Sequence, residues 1–248
     1  MPSLIAVGNW KMNTDISEAK QLALAISNGV PKTPGVEIVL CPPAISIGLV
    51  NEVTKQSNIE IGAQNMYFEN NGPFTGEISP TMLNGLCKYV ILGHSERRQI
   101  FGESNIMIQQ KVVSAAYNNL IPILCVGEDL EQRNTQKAFA FVENQINDCL
   151  KDFPNEKPLV LAYEPLWAIG TGTAATPEIA QIMTHYIRVC LSKILSYEKA
   201  NEISILYGGS VNKSNVMSFT NQPDINGVLV GGASLKADEF IQIIGEIK

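Results

Sequence analysis

The stretch "LVLAYEPLWAIGTGTAATPEIAQIMTHYIRVCLSKIL", residues 159–195, contains the pattern of a strand, a loop and a helix in succession. An apolar run opens it, glycine and threonine residues follow, and apolar residues then recur at helical spacing. Thr176 suits the N-cap of that helix and Pro177 its first turn. A strand followed by a helix is the repeating unit of parallel α/β proteins.

Seven further runs resemble this strand, because each is short, apolar and rich in β-branched residues. They begin at Leu4, Val36, Ile59, Tyr89, Ile121, Ile203 and Gly227. None alternates with polar residues, which is typical of parallel strands that are buried on both faces. Helical patterns fill most of the intervals, among them those starting at Ser17, spanning Glu131 to Leu150, and spanning Leu235 to Ile244.

Eight strand and helix units without a linker or a composition break predict an α/β protein with a single (β/α)8 TIM barrel over residues 1–248. An open, doubly wound sheet is the alternative. It needs edge strands, whereas all eight runs look equally buried, so the closed barrel is favoured.

Composition limits the partners and the compartment. A net charge of −6 and the lack of a basic run argue against nucleic acid or an anionic membrane surface as the main partner. No apolar stretch approaches the roughly 18 residues of a membrane span, and the N-terminus does not read as a signal peptide. The five cysteines include no C-x-x-C pair, which predicts reduced thiols, no metal site and a cytoplasmic location.

Ionisable or amide side chains follow three of the apolar runs: Asn9 and Lys11 after the first, His94 and Glu96 after the fourth, and Glu164 after the sixth. Barrel enzymes act at the C-terminal ends of their strands. An amine, an imidazole and a carboxylate at one rim suit a charge stabiliser, a proton shuttle and a general base. Each residue alone is equally consistent with a solvated charge, a helix cap or a satisfied histidine. Their occurrence together favours a site.

His94 is the first residue of the segment "HSERRQIF", which we expect to begin a short helix with Ser95 as its cap. The positive end of the helix dipole then lies beside the imidazole and disfavours its charged form. A neutral imidazole can donate a hydrogen bond to a developing enolate.

Two glycine pairs suggest an anion site. They lie in "YGGS", residues 207–210, and in "GVLVGGAS", residues 227–234, after the last two strands. Glycines let backbone N–H groups approach an anion, and barrel enzymes commonly hold phosphate at this position. A tight turn explains either pair alone, so it is the two pairs on neighbouring strands that favour phosphate.

The loop at residues 170–175 matches the letters of a dinucleotide-binding fingerprint, G-x-G-x-x-A. A fingerprint requires its first glycine at the turn after the strand and an acidic residue roughly twenty positions further on. Here residues 165–169 intervene after Glu164, and the later position falls within a helix. A small-residue lid over Glu164 is therefore the better interpretation.

Seven motifs occur in one order along nearly the whole chain: "GNWKMN", "FTGEIS", "GHSERR", "CVGE", "AYEPLWAIGTG", "LYGGSV" and "LVGGASL". In these the sequence resembles the triosephosphate isomerase family. The resemblance implies interconversion of dihydroxyacetone phosphate and D-glyceraldehyde 3-phosphate through an enediol(ate), in glycolysis and gluconeogenesis. It implies a small triose phosphate substrate, no cofactor and a homodimer.

Carried over to matching positions, the resemblance makes Glu164 the base, His94 the proton shuttle and Lys11 the charge stabiliser, with Asn9 orienting the substrate oxygens. Glu96 corresponds to a carboxylate near His94 and Lys11. The phosphate is expected on the amides of Gly170, Ser210, Gly231 and Gly232. Ile169 and Leu229 are expected to close apolar surface over the base, and Thr75 to brace Asn9 and Lys11 of the partner subunit.

Thr173 stands in the expected lid, residues 165–176, where many members of the family carry lysine. Two other functions stay open on the sequence alone. One is a catalytically idle barrel that binds phosphorylated metabolites or serves as a scaffold, because a fold does not determine a function. The other is an enzyme that acts on a larger sugar phosphate, although Trp167 and Ile169 favour a small closed pocket.

Overall fold

Eight parallel strands form a closed barrel in chain order, which confirms the predicted (β/α)8 architecture. The structure is a computed structural model that describes residues 2–30, 35–168 and 175–247. The strands are β1 (Leu4–Asn9), β2 (Val36–Cys41), β3 (Ile59–Ala63), β4 (Tyr89–Leu92), β5 (Ile121–Val126), β6 (Val160–Tyr163), β7 (Ser204–Tyr207) and β8 (Gly227–Val230). Each coincides with one of the predicted apolar runs.

Helices lie between the strands and pack around the barrel. They are α1 (Ile16–Gly29), α2 (Ile47–Thr54), α3 (Pro80–Leu83), α4 (Ser95–Gln99), α5 (Asn105–Tyr117), α6 (Leu130–Asn134), α7 (Ala138–Cys149), α8 (Pro177–Ile194), α9 (Tyr197–Glu202), α10 (Val216–Thr220) and α11 (Ala237–Glu246). Short 3₁₀ turns cover Ala44–Ser46, Leu166–Ala168 and Gly232–Leu235.

Two apolar layers arise from the alternation of side chains along the strands. The inner layer fills the barrel and includes Val7, Val39, Ile91, Ile123 and Leu206. The outer layer joins the opposite faces of the strands to the helices. Because both faces are covered, the strands carry apolar residues at almost every position.

The helix starts and ends are partly as predicted. Thr176 caps α8, where its hydroxyl accepts the Ile179 N–H, and Pro177 occupies the first turn. The helix expected from Glu131 to Leu150 is wrong as a single element, because α6 ends at Asn134 and α7 begins at Ala138. Gln136, between them, has a φ of +59°, which no helix accommodates.

The seam between β7 and β8 is short, with Tyr207 paired to Val228. Side chains reinforce it at the N-terminal end of the strands. The Asn226 side-chain oxygen accepts the Ile205 N–H at 3.1 Å, and the Asn226 N–H donates to the Ile205 carbonyl at 2.7 Å. Arg188 of α8 donates to the same Asn226 oxygen at 2.9 Å.

The five cysteines are free, and four of them are buried, as expected for reduced thiols. Within residues 2–30, 35–168 and 175–247, no helix has the length and apolar character needed to cross a bilayer.

Candidate active site

Glu164 and His94 meet at the C-terminal end of the barrel. Glu164 follows β6 and His94 comes two residues after β4, so the barrel brings together residues that are 70 positions apart. Glu164 Oε1 lies 3.0 Å from His94 Nε2, and Oε2 accepts the Ser95 N–H at 2.9 Å. Both side chains are almost completely buried, which keeps this contact out of bulk water.

The imidazole of His94 caps the short helix α4 with its own ring. Nδ1 accepts the Glu96 N–H at 3.2 Å, so Ser95 is the first helical residue and the prediction that Ser95 is the cap is wrong. An Nδ1 that accepts a backbone N–H carries no proton, and this contact assigns the proton of a neutral ring to Nε2. The sequence-based expectation of a neutral imidazole beside a helix N-terminus is consistent with this arrangement.

Glycines surround Glu164 because larger residues do not fit. A Cβ on Gly208 would lie 2.9 Å from the Glu164 Cγ, and one on Gly127 would lie 1.8 Å from the Glu164 carbonyl oxygen. Real Cβ atoms do not approach other atoms so closely. The glycines of "CVGE" and "YGGS" therefore leave room for the backbone and the side chain of Glu164.

Lys11 has an unusual backbone conformation, with a φ of +53°. Residues other than glycine adopt this left-handed region at a cost in energy, and such strain is common at functional sites. Asn9 Oδ1 accepts the Lys11 N–H at 3.1 Å. The ammonium group donates to Glu96 Oε1 at 2.7 Å, which holds the lysine beside His94.

Gln64 supports the strained Lys11 backbone, and our sequence interpretation missed it. Its side-chain amide donates to the Lys11 carbonyl at 2.8 Å and to the Cys41 carbonyl at 2.9 Å. A lone glutamine after β3 carries no local signal for this role, because both partners are distant in sequence.

The carboxyl of Glu96 titrates below its usual range. Burial raises its pKa, but the hydrogen bond and the positive charge of Lys11 outweigh that effect and lower it. Glu96 is thus an anion that balances the Lys11 ammonium.

A cavity of about 350 Å³ opens beside these residues. Its lining contains Asn9, Lys11, His94, Glu164, Ser210, Leu229, Gly231 and Gly232. Gly231 lies close to the lysine, since a Cβ there would lie 3.3 Å from the Lys11 Cε and would require a small shift of that side chain. The two glycine pairs predicted to form an anion site therefore line the same cavity as the ionisable residues.

Arg98 fixes the segment that carries His94, and it too escaped the sequence interpretation. Its guanidinium donates to the Gly93 carbonyl at 2.7 Å, to Asn105 Oδ1 at 2.6 Å and to the Cys125 carbonyl at 3.1 Å. These bonds connect β4, α5 and β5. The second arginine of "GHSERR" is therefore a structural clamp beneath the histidine.

The segment after Glu164 begins with a 3₁₀ turn, Leu166–Ala168, that is tied to β5. Trp167 Nε1 donates to Glu128 Oε1 at 2.8 Å, and the Tyr163 hydroxyl donates to the same oxygen at 3.0 Å. Ser210 Oγ donates to the Ala168 carbonyl at 3.1 Å. Ile169, Gly170 and Thr173 lie outside the described residues.

Thr75 is separate from the cavity. It lies in the exposed loop between β3 and α3, where neighbouring residues are also exposed. Tyr67 packs against Phe74 with ring centroids 4.6 Å apart, so aromatic residues hold the base of this loop together.

A parallel barrel with a buried carboxylate and imidazole in contact, an adjacent ammonium and a glycine-rich wall defines an enzyme of acid–base chemistry on a small anionic substrate. The family model described as "Triosephosphate isomerase" matches residues 4–247. The chain belongs to the triosephosphate isomerase family.

Curated relatives agree over nearly full length. A "Triosephosphate isomerase" of Dehalococcoides mccartyi (strain CBDB1) is 44% identical over 243 residues, which cover 98% of this chain and 96% of the relative. A protein of the same name from Rhodopirellula baltica is 44% identical over 244 residues, covering 97% of this chain and 96% of the relative.

Proposed function

We propose that Glu164, His94 and Lys11 carry the interconversion of dihydroxyacetone phosphate and D-glyceraldehyde 3-phosphate, the reaction that follows from membership of this family. The observation that supports these roles is the 3.0 Å contact between Glu164 Oε1 and His94 Nε2 at the wall of a cavity that Lys11 also lines. Triosephosphate isomerase is itself a standard example of a carboxylate base paired with a neutral imidazole.

Glu164 removes a proton from the carbon beside the substrate carbonyl, and the electron pair of that C–H bond moves to form the enediol(ate). The same carboxyl then returns a proton to the neighbouring carbon, which completes the isomerisation without a net change in composition. No cofactor takes part. Burial of the carboxylate supports this role, because few water molecules compete for the proton.

His94 moves protons between the two substrate oxygens. Nε2 is the ring atom that lies 3.0 Å from Glu164 Oε1. Lys11 stabilises the negative charge that develops on these oxygens and on the phosphate. Asn9 orients the oxygens, since it lines the cavity and its side chain also holds the Lys11 backbone. Glu96 keeps the Lys11 ammonium in position.

The substrate phosphate binds to the backbone amides of Ser210, Gly231 and Gly232, which line the same cavity as the base. Gly170, a residue of the expected lid, supplies a further backbone amide to the phosphate. When the lid closes, Ile169 and Leu229 cover Glu164 with apolar surface. Exclusion of water strengthens the electrostatic contacts and protects the enediol(ate) from losing phosphate.

We also propose that the protein acts as a cytoplasmic homodimer in which Thr75 reaches the Asn9 and Lys11 region of the partner subunit. A second cavity of about 400 Å³ supports this, because Lys11, Glu96 and residues 76–78 line it together. Large apolar side chains of its lining are exposed, with Met12 97% and Phe101 66% accessible. Sedimentation velocity tests the dimer, and a monomer at micromolar concentration would contradict it.

A coupled isomerase assay on the purified chain tests the reaction, and Glu164→Gln tests the role of the base. We expect Glu164→Gln to lower kcat by about 10²–10⁴-fold, the contribution of a positioned general base. The variant should keep the wild-type melting temperature, because Gln retains the size of the side chain. Near-normal turnover by this variant would remove Glu164 from the proposed mechanism.

The same assay separates the two alternative functions. Turnover of a longer sugar phosphate in preference to the triose would point to a different barrel enzyme. Binding of inorganic phosphate without any turnover would point to an idle barrel.

A further inference from the structure

A third cavity, of about 610 Å³, lies on the outside of the barrel, away from the catalytic cavity. The junction of α6 and α7 forms one wall and the first turns of α8 form the other. Its lining is Arg133, Gln136, Ala138, Phe139, Ile179, Ile182 and Met183. The volume falls within the range of small-molecule sites, about 300–1,000 Å³.

Apolar side chains on the walls of this cavity are open to solvent. Phe139 is 42% exposed and Ile182 is 58% exposed, although each lies on a helix whose opposite face packs on the barrel. Met183 is buried beneath them and supplies an adaptable floor. An aromatic or branched aliphatic body would cover apolar surface here that water now covers.

Arg133 places a cation at the edge of the cavity. In the described part of the chain its guanidinium makes one hydrogen bond, a long one of 3.5 Å to Glu128 Oε1, and it lies 4.2 Å from the centroid of the Trp167 ring. A guanidinium carries five N–H donors in a planar fork that matches a carboxylate. Donors are therefore available for an anion.

Glu128 forms an ion pair with Arg133 at the long distance of 3.5 Å, and the nearest carboxylate along α7 adds no second ion pair in the described part of the chain. Glu143 lies one helical turn after Phe139, where it accepts the Tyr186 hydroxyl at 2.6 Å and the Lys193 ammonium at 3.4 Å. Both of its oxygens are thus engaged away from Arg133. The cavity combines apolar walls with a single cationic end.

We infer that this outer cavity binds a small organic monoanion, a carboxylate with an aromatic or branched aliphatic body, whose charged end pairs with Arg133. Inorganic phosphate and sugar phosphates fit poorly, because apolar walls would strip water from their polar groups without replacing its hydrogen bonds. The matching of charge at one end and apolar surface at the other sets the class of ligand.

Occupancy of the cavity would change the surroundings of Trp167. The Arg133 guanidinium lies over the Trp167 ring, and the indole N–H donates to Glu128. A carboxylate that draws the guanidinium toward the cavity changes the surroundings of this indole. Trp10, the other tryptophan, is completely buried and does not line the outer cavity, so a fluorescence change on binding would report on Trp167.

The test is calorimetric titration of 3-phenylpropionate into the full-length protein, with inorganic phosphate present to fill the catalytic cavity. We expect saturable binding with a Kd of about 1 mM or tighter, which is reasonable for a ligand of this size. The uncharged 3-phenylpropionamide has the same body and should bind at least about tenfold more weakly, because it lacks the charge that pairs with Arg133.

Matched variants on one helix locate the site. Ile182→Glu places a negative charge on the cavity wall and should weaken 3-phenylpropionate binding at least about tenfold. Val189→Glu makes the same change two turns further along α8, at a residue that is 38% exposed and does not line the cavity, and should leave binding unchanged. Phe139→Ser is a second wall variant and keeps the test decisive should Ile182→Glu fold poorly.

Several results would overturn the inference. These are the absence of saturable binding, equal binding of the amide and the carboxylate, equal binding by Ile182→Glu and wild type, or displacement of the ligand by inorganic phosphate. Self-association through this face that Ile182→Glu abolishes, in the absence of ligand binding, would instead identify the cavity as a contact between copies of the chain.

Discussion

Two groups of charged side chains lie at opposite ends of the barrel, and they differ in how they are held. The rim cluster comprises Lys11, His94, Glu96 and Glu164 at the C-terminal end. The seam cluster comprises Gln181, His185, Arg188, Asp224 and Asn226 near the N-terminal ends of β7 and β8. Both contain at least one carboxylate, a histidine and a cation.

In the seam cluster, Arg188 and Asp224 are hydrogen-bonded to protein groups through all of their side-chain nitrogens and oxygens. Arg188 donates to Asp224 Oδ1 at 2.5 Å, to the carbonyls of Ala200 and Ile203 at 2.6 Å and 3.0 Å, and to Asn226. Asp224 also receives Gln181 at 2.8 Å. Arg188 lines neither the catalytic cavity nor the other cavities described above, so no ligand in them can exchange for one of these bonds.

Three side chains of the rim cluster, by contrast, line the catalytic cavity. Glu164, His94 and Lys11 all face it, and each makes one or two contacts that a substrate can replace. The comparison teaches that residue type alone does not mark a catalytic group. A catalytic group is one that lines a cavity and makes contacts that a substrate can replace. Similar residues whose hydrogen bonds are all made within the protein instead join structural elements.

The largest effect we expect is on turnover from His94→Gln at the rim. Removal of a positioned proton shuttle should lower kcat by about 10²–10⁴-fold in the coupled assay. Gln can still accept the Glu96 N–H, so the melting temperature should change little. A large loss of stability with turnover retained per folded molecule would assign His94 to structure instead.

Arg188→Met in the seam cluster should lower stability and leave turnover almost unchanged. Removing one partner leaves the carboxylate of Asp224, whose side chain is only 11% exposed, without its main counterion. We expect a loss of about 3 kcal/mol in the free energy of unfolding, measured by urea denaturation. Turnover of the remaining folded protein should stay within about twofold of wild type, and a specific fall in kcat would contradict the separation of the two clusters.

Gly208→Ala tests how strongly turnover depends on the position of the Glu164 side chain. The new Cβ would lie 2.9 Å from the Glu164 Cγ and must displace the side chain of the base. Small displacements of a catalytic group can cost up to about 10²-fold in rate, so we expect kcat to fall by about 10–10²-fold. Gly245→Ala is the matched control, because nothing lies within 4 Å of a Cβ at that glycine and it does not line the catalytic cavity.

The seam cluster should also make stability depend on acidity. Burial raises the pKa of Asp224, but hydrogen bonds from Gln181, Arg188 and His185 outweigh it and lower the pKa. The stabilisation is therefore present above the usual aspartate pKa of about 4 and is lost as the pH falls toward the folded-state value. The difference in melting temperature between wild type and Asp224→Asn should shrink below about pH 4, and a constant difference would contradict this.

The smallest effect is expected for Lys88→Met, a second charged site at the N-terminal end. Lys88 pairs with Glu37 at 2.6 Å and Glu60 at 3.2 Å, but its side chain is 41% exposed. Exposed ion pairs contribute little, so the loss should be below about 1 kcal/mol with turnover unchanged. A loss comparable to that of Arg188→Met would show that burial does not distinguish the two sites.

Most of the fold and much of the rim could be predicted from the sequence because their signals are local. Apolar runs without alternation marked all eight strands, and the C-terminal ends of parallel strands necessarily meet, which brought Lys11, His94 and Glu164 together. Glycine pairs after β7 and β8 marked one wall of the cavity by the same reasoning.

Other features depend on contacts between distant residues, which no local pattern encodes. Gln64 holds the backbone of Lys11 across 53 positions, and Arg188 joins elements up to 38 positions away. The break at Gln136 was hidden because its neighbours keep helical spacing. The cap of α4 was misassigned because a histidine ring can replace the expected serine hydroxyl when its Nδ1 faces the first turn.

The left-handed backbone of Lys11 has a consequence for the evolution of this chain. A non-glycine residue in that conformation lowers the stability of the fold by about 1–2 kcal/mol. Glycine would relieve the strain and discard the ammonium group in a single substitution. Selection for a more stable protein and selection for a faster enzyme therefore favour different residues at position 11.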